Sequence, residues 1–114
     1  MKLITKELEK KLPPLGTTTL SDNIKVKLFT PDSDFTWYIM EYDKDTKKAY
    51  GATENRHGIE LGYFSIKELE AIRGPWGLPI ERDMYFNEQP LSNFVKFDKE
   101  EEKEEQSTTH KRRR

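Results

Sequence analysis

Phe35-Thr36-Trp37-Tyr38-Ile39-Met40-Glu41-Tyr42 is the stretch on which the fold turns. It has no Gly or Pro, and its aromatic and β-branched side chains favour extended chain. Apolar groups stand at both odd and even positions, so Trp37 and Tyr38 point to opposite sides of a sheet and the spacing predicts a central strand covered on both faces. Upstream, Ile24, Val26 and Leu28 alternate with Lys25 and Lys27, the two-residue period of a strand with one wet face. Thr30-Pro31-Asp32-Ser33-Asp34 lies between the two as a turn, because Pro fixes φ and the short polar side chains bond nearby backbone. Downstream, the turn Asp43-Lys44-Asp45-Thr46 leads to a strand over 47–53, in which Gly51 is a weak point. Glu54-Asn55-Arg56-His57-Gly58 then leads to a fourth strand over 59–64. Four consecutive strands joined by short connections make an antiparallel meander.

Helices frame these strands. Thr5 caps a short helix to about Leu12, with Leu8 and Leu12 on one side and Pro13-Pro14 as its stop. Ser65-Ile66-Lys67-Glu68 is a capping box, and Phe64 with Leu69 supplies the hydrophobic staple, so a helix is expected over 66–72 with Gly74 and Pro75 beyond its end. Residues 74–79 form a tight loop, 84–86 a last short strand, and 90–97 a short helix with Leu91, Phe94 and Val95 inward.

All 38 hydrophobic residues lie in the first 97 positions, and 98–114 contain none. The expected organisation is therefore one small globular α+β domain over 1–97, a curled antiparallel sheet of four to five strands with short helices packed on one face. Residues 98–114 cannot bury enough apolar surface to offset chain ordering, and they are expected to be a disordered, charged tail.

The sequence excludes much chemistry. Without Cys it has no thiol nucleophile, disulfide or cysteine-ligated metal, which fits a reducing, cytoplasmic location. No apolar run is long enough to span a bilayer, so no membrane partner is expected. The hydrolase elbow, phosphate loop, zinc-protease and calcium-loop motifs are absent, and no cofactor or metal is assigned. Imidazole comes only from His57, in a polar turn, and His110. Asp32, Glu41, Glu81 and Asp83 would make a magnesium site for phosphodiester chemistry only if their oxygens converged; the competing reading is turn bonding and ion pairing.

Arg73-Gly74-Pro75-Trp76-Gly77-Leu78-Pro79-Ile80-Glu81-Arg82-Asp83 is the richest constellation. Two Gly and two Pro stiffen the backbone around Trp76, with charged groups on either side, which is the composition of a binding anchor. Arg73, Trp76, Glu81, Arg82 and Asp83 are the candidate binding residues; the alternative is that Trp76 folds back to cap the sheet and Arg82 pairs with a carboxylate. Lys25, Lys27, Lys47 and Lys48 near Tyr50 suggest a small basic and aromatic surface for single-stranded nucleic acid. In the tail, Lys111, Arg112, Arg113 and Arg114 offer phosphates four fixed positive charges, while the Glu-rich block before them partly cancels that field.

Lys11-Leu12-Pro13-Pro14-Leu15, Phe29-Thr30-Pro31-Asp32, Gly62-Tyr63-Phe64-Ser65 and above all Gly77-Leu78-Pro79-Ile80-Glu81-Arg82-Asp83 resemble the bacterial family called Domain of Unknown Function 2958. The resemblance spans Leu3 to Ser92, with the chain after Phe97 outside it. It implies a small protein of plasmids, phages and conjugative elements with an accessory role in their DNA metabolism, and it supplies no catalytic residues. The expected function is a non-enzymatic interaction module of a mobile genetic element, binding a protein or nucleoprotein. The alternatives are an inhibitor of a host defence nuclease, of anti-restriction or anti-CRISPR type, and a metal-dependent enzyme acting on nucleic acid.

Overall fold

The computed structural model describes residues 2–94, through which the chain runs α1 (Lys6–Lys11), β1 (Asn23–Ile24), β2 (Val26–Phe29), β3 (Thr36–Asp43), β4 (Lys48–Asn55), β5 (Gly58–Ser65), α2 (Ile66–Ala71), β6 (Glu81–Arg82), β7 (Gln89–Pro90) and a 3-10 turn (Leu91–Asn93). The main sheet is open and antiparallel, in the order β5-β4-β3-β2-β6, and β1 pairs with β7 as a separate two-stranded ribbon. The meander of four strands is as expected, and so is the α+β class. The expected tail at 98–114, with Val95 and Phe97 of the expected last helix, lies outside the described residues.

β3 is central and has a core on each side. Trp37, Ile39 and Tyr42 pack with Val26, Leu28 and Ala49 beneath Leu3, Ile4, Leu12 and the apolar sides of both helices. Tyr38 and Met40 pack on the opposite face with Ile24, Ala52 and Leu91, flanked by Leu20, Phe86 and Phe94. Each fully buried aliphatic or aromatic side chain contributes roughly 1.5–3 kcal/mol of transfer free energy, so two covered faces are what lets so short a chain hold a sheet. Both helices lie on the face of Trp37, as expected.

Two irregularities redistribute these side chains. Ile39 pairs with Gly51 and Glu41 with Tyr50, which leaves Met40 as an extra residue in β3. Since paired residues share a face, this bulge turns Glu41 to the side of Tyr38 and returns Tyr42 to the helix side. Gly51 is required opposite the bulge, because a Cβ there would stand 1.7 Å from the Tyr38 carbonyl oxygen. The second irregularity corrects an expectation. Ile24, Val26 and Leu28 do not share a face, since the strand breaks at Lys25, whose N–H still reaches the Ile39 carbonyl at 2.9 Å, and Ile24 joins the other core.

The caps form at the expected residues. Thr5 Oγ1 accepts the Leu8 N–H at 3.2 Å, and Ser65 Oγ accepts the Glu68 N–H at 3.2 Å. The expected strand at 84–86 is instead a turn, because the Asp83 carboxylate captures the Tyr85 N–H at 3.0 Å; the sheet pairing falls earlier, at Glu81 and Arg82 beside Phe29 and Leu28. The N-terminal segment is strapped down at both sides. Leu3 N–H donates to the Glu70 carboxylate at 3.2 Å, and the Arg82 guanidinium donates to the Lys2 and Leu3 carbonyls at 2.9 and 2.8 Å.

Candidate functional site

Residues 73–79 fold as a miniature hairpin closed by a bridge between Arg73 and Pro79. Gly77 N–H donates to the Gly74 carbonyl at 2.9 Å, and Gly74 N–H to the Leu78 carbonyl at 2.9 Å. Pro75 suits the first corner of this turn, and Gly77, at φ 83°, occupies the left-handed position that follows it. Trp76 has negative φ and takes the second corner without strain.

A carboxylate from the β2–β3 turn fixes the loop. Asp32 Oδ2 accepts the Trp76 N–H at 2.8 Å and the Leu78 N–H at 3.3 Å. Its Oδ1 is buried, with no hydrogen-bond partner among the described residues, against Gly74, where a Cβ would stand 1.6 Å from that oxygen. Gly74 is therefore needed for close approach as well as for the turn. The Asp32 turn is itself closed by Thr30, whose N–H donates to the Phe35 carbonyl and whose Oγ1 accepts the Phe35 N–H, both at 3.0 Å. Asp34 continues the chain of contacts to the β4–β5 turn, accepting the Arg56 N–H at 2.9 Å and pairing with its guanidinium at 3.4 Å. That N–H bond holds the Asp34 carboxyl below its usual range.

Three turns are thus tied together at one end of the sheet; the β4–β5 turn presents Arg56 and His57, while the 73–79 loop and the start of β3 present apolar side chains. Trp76 is 85% exposed, and Leu78 and Phe35 are also exposed. Phe35 stacks on the buried Trp37 with ring centroids 5.8 Å apart, so one side of it is supported and the other is open. Trp76 does not fold back over the sheet, because Asp32 holds its backbone with the indole outward.

The other candidates are placed apart. The Arg73 guanidinium turns back onto the Glu70 and Ile72 carbonyls at 3.1 and 2.9 Å. Among the described residues Arg82 pairs with no carboxylate; its guanidinium is the N-terminal strap. Asp83 faces Lys27 at 3.6 Å, and Glu81 is exposed on β6. Arg73 and Trp76 therefore share the loop, while Glu81, Arg82 and Asp83 run along the sheet edge.

Asp32, Glu41 and Asp83 are held by different partners and Glu81 is exposed, and among the described residues no group of three His, Cys, Asp or Glu converges on a cation position. Glu41 is fully buried, its carboxylate accepting the Gly16 N–H at 2.8 Å, the Thr18 N–H at 2.7 Å and the Thr18 hydroxyl. His57 is exposed in its turn. Lys48 lies over the Tyr63 ring, 5.5 Å from its centroid, and Tyr63 packs on Tyr50 at 5.0 Å; Lys25 and Lys27 are on the other side of the sheet order, by β6. Lys111, Arg112, Arg113 and Arg114 lie outside the described residues. No helix among the described residues is long and apolar enough to cross a membrane.

Sequence reasoning placed Trp76 and the rigid loop, Gly74 included, but did not connect Asp32 or Phe35 with it. Asp32 looked like an ordinary turn former, and its partner lies 44 positions away.

No curated protein and no solved structure matches the chain. A family model does, that of the proteins of unknown function grouped as DUF2958, over residues 3–104. The match runs beyond Ser92 and Phe97, so the chain just after Phe97 belongs within the family pattern and not outside it. With the model covering most of its length, the chain is a member of the DUF2958 family.

Proposed function

We propose that this protein is a non-enzymatic interaction module that docks a protein or nucleoprotein partner on the surface of Trp76, Leu78 and Phe35. The supporting observation is the exposure of Trp76, 85%, on a loop whose backbone is fixed by Asp32. An indole on a pre-ordered loop buries a large area in a partner at small entropy cost, which is how interface anchors work. By its resemblance to that family, the partner is read as one of the DNA metabolism of a mobile element, met inside the bacterial cytoplasm. A host defence nuclease is one such partner, and the protein would then inhibit it by occupying a local surface.

The test begins with tagged protein recovered from cells that carry the native element, with the captured partner identified and purified. Trp76→Ala is expected to weaken the affinity for that partner about 30-fold or more, as a central anchor does. Because the indole is exposed, the variant keeps its thermal midpoint within about 2 °C, consistent with the small effects of surface substitutions. Equal affinity of the variant and the parent would remove the loop from the interface.

A further inference from the structure

A second surface lies along α1, away from the tethered loop. Lys6, Lys11, Lys25 and Lys27 line a groove of about 640 Å³ that runs between α1 and the 83–86 turn, with Met84 on its wall. A neighbouring groove of about 730 Å³ shares Lys11 and Lys25 and continues past Lys10 to Thr17 and Ser21. The shared residues make the two one track across the N-terminal part of the fold.

Charge segregates to this track. Of the 13 Lys and Arg in residues 2–94, six fall in 2–28 beside only three acids, while 29–94 carry seven against 12 acids. Not every cation here is free. Lys25 pairs with Glu88 at 3.0 Å and Lys27 with Asp83 at 3.6 Å, and Arg82 is committed to the N-terminal strap. Lys6, Lys10 and Lys11 make no ion pair among the described residues, and Glu7 and Asp22 are the remaining acids along the track. A ligand with several anionic groups gains contacts with the free lysines and competes with Glu88 and Asp83 for the paired ones.

On the turn that walls the groove, Tyr85 is 92% exposed between the lining residues Met84, itself 65% exposed, and Phe86. Its N–H is bonded to the Asp83 carboxylate, which fixes the turn that carries it. A positively charged track with an open aromatic ring at its edge has the two elements that bind a single strand, cations for the phosphates and a π-face for a base. An acidic peptide would use the lysines but leave the ring without a matching group.

We infer that the α1 track, with Lys6, Lys10, Lys11, Lys25 and Tyr85, is a binding surface for single-stranded nucleic acid. It is independent of the Trp76 loop, so one chain can hold a strand and a protein partner together. With about three phosphates engaged, log K falls against log salt with a slope of about −2.

The experiment is fluorescence anisotropy of the full chain with a labelled 12-nucleotide oligo-dT at several salt concentrations. Three kinds of variant are compared: Lys6→Glu with Lys11→Glu, Tyr85→Ala, and the tail variant with Lys111, Arg112, Arg113 and Arg114 changed to Ser. Lys44→Glu with Lys67→Glu, elsewhere on the surface, controls for net charge. The inference expects at least about a tenfold loss for the double reversal at α1, about a tenfold loss for Tyr85→Ala, and little change for the Lys44 and Lys67 control. Absence of oligo-dT binding, loss confined to the tail variant, equal loss in the control pair, or displacement of oligo-dT by an equal concentration of poly-Glu peptide would each overturn it. Far-UV circular dichroism and thermal midpoints confirm that the exposed substitutions leave the fold intact.

Discussion

β3 carries an acidic pair at each end, and the two pairs do different work. At its start, Asp32 and Asp34 reach out to neighbouring turns and hold the Trp76 loop in place. At its other end, Glu41 is fully buried and accepts backbone and hydroxyl donors from residues 16–18, while Asp43 closes its own turn on Asp45 N–H and the Thr46 hydroxyl. All four look alike in sequence, short-range pairs of acids beside a strand. The difference lies in depth. Glu41 is itself buried and replaces water for the N–H groups of a partly buried loop, and so supports the fold, whereas Asp32 sits under an exposed loop and supports its shape.

The sharpest way to break this contrast is at Glu41. Glu41→Ala strands the Gly16 and Thr18 N–H groups without their acceptor in a buried site, and is expected to cost about 3–5 kcal/mol. Glu41→Gln keeps one acceptor oxygen and is expected to cost about 1–2 kcal/mol. Urea denaturation of the two variants measures both. If Glu41→Ala loses less than the glutamine variant, the carboxylate is not holding the loop.

The Asp32 end should respond less in stability and more in the local loop. Asp32→Ala removes the acceptor for two N–H groups that can reach water, for a loss of about 1–2 kcal/mol. Gly74→Ala places a Cβ against Asp32 Oδ1 and forces that carboxylate out, so it is expected to cost a similar amount alone. The informative result is the pair. With Asp32 already Ala the obstruction is gone, and the double variant should be more stable than the sum of single losses by about 1 kcal/mol. Additive losses would mean that the two residues do not meet in solution.

How much of this was readable beforehand follows from range. The strands, the caps at Thr5 and Ser65, and the central place of 35–42 depend on neighbours a few residues apart, where periodicity and turn chemistry carry the information. The bulge at Met40 left no mark except Gly51, which looked like a weak strand residue and is in fact the one residue that fits opposite the bulge. Ile24 seemed to belong with Val26 and Leu28, but the break at Lys25 depends on a ribbon formed with Gln89, and alternation cannot foresee a partner 65 positions on. For the site, Trp76 was legible from the composition of its loop. Its outward pose was not, since that depends on Asp32 reaching the Trp76 N–H across the fold. Arg82 misled for the same reason: its partners are backbone carbonyls, which carry no residue-type signature.

The finest distinction between the two ends of β3 is in their acid response. Asp34 and Asp43 both have carboxyls held below the ordinary aspartate value of 3.8, Asp34 first by the Arg56 N–H and Asp43 first by the Asp45 N–H. A carboxyl whose folded value is depressed stabilises the fold above the unfolded value and loses that contribution as pH falls through the folded one, so the window lies from just above pH 3.8 downward. Asp34 is exposed and Asp43 half-buried at the strand end, with both carboxyls reached by solvent, and the effect of each is small. They differ in what protonation releases. Asp43 closes a local turn, whereas Asp34 joins two turns of the Trp76 surface. Asp34→Asn should therefore flatten the loss of stability below pH 4 and leave the Arg56 amide with a protection factor, exchange relative to the intrinsic rate at each pH, that no longer changes with acid, while Asp43→Asn should flatten the stability curve alone. Identical Arg56 exchange profiles in the two variants would show that Asp34 does not tie the β4–β5 turn to the site.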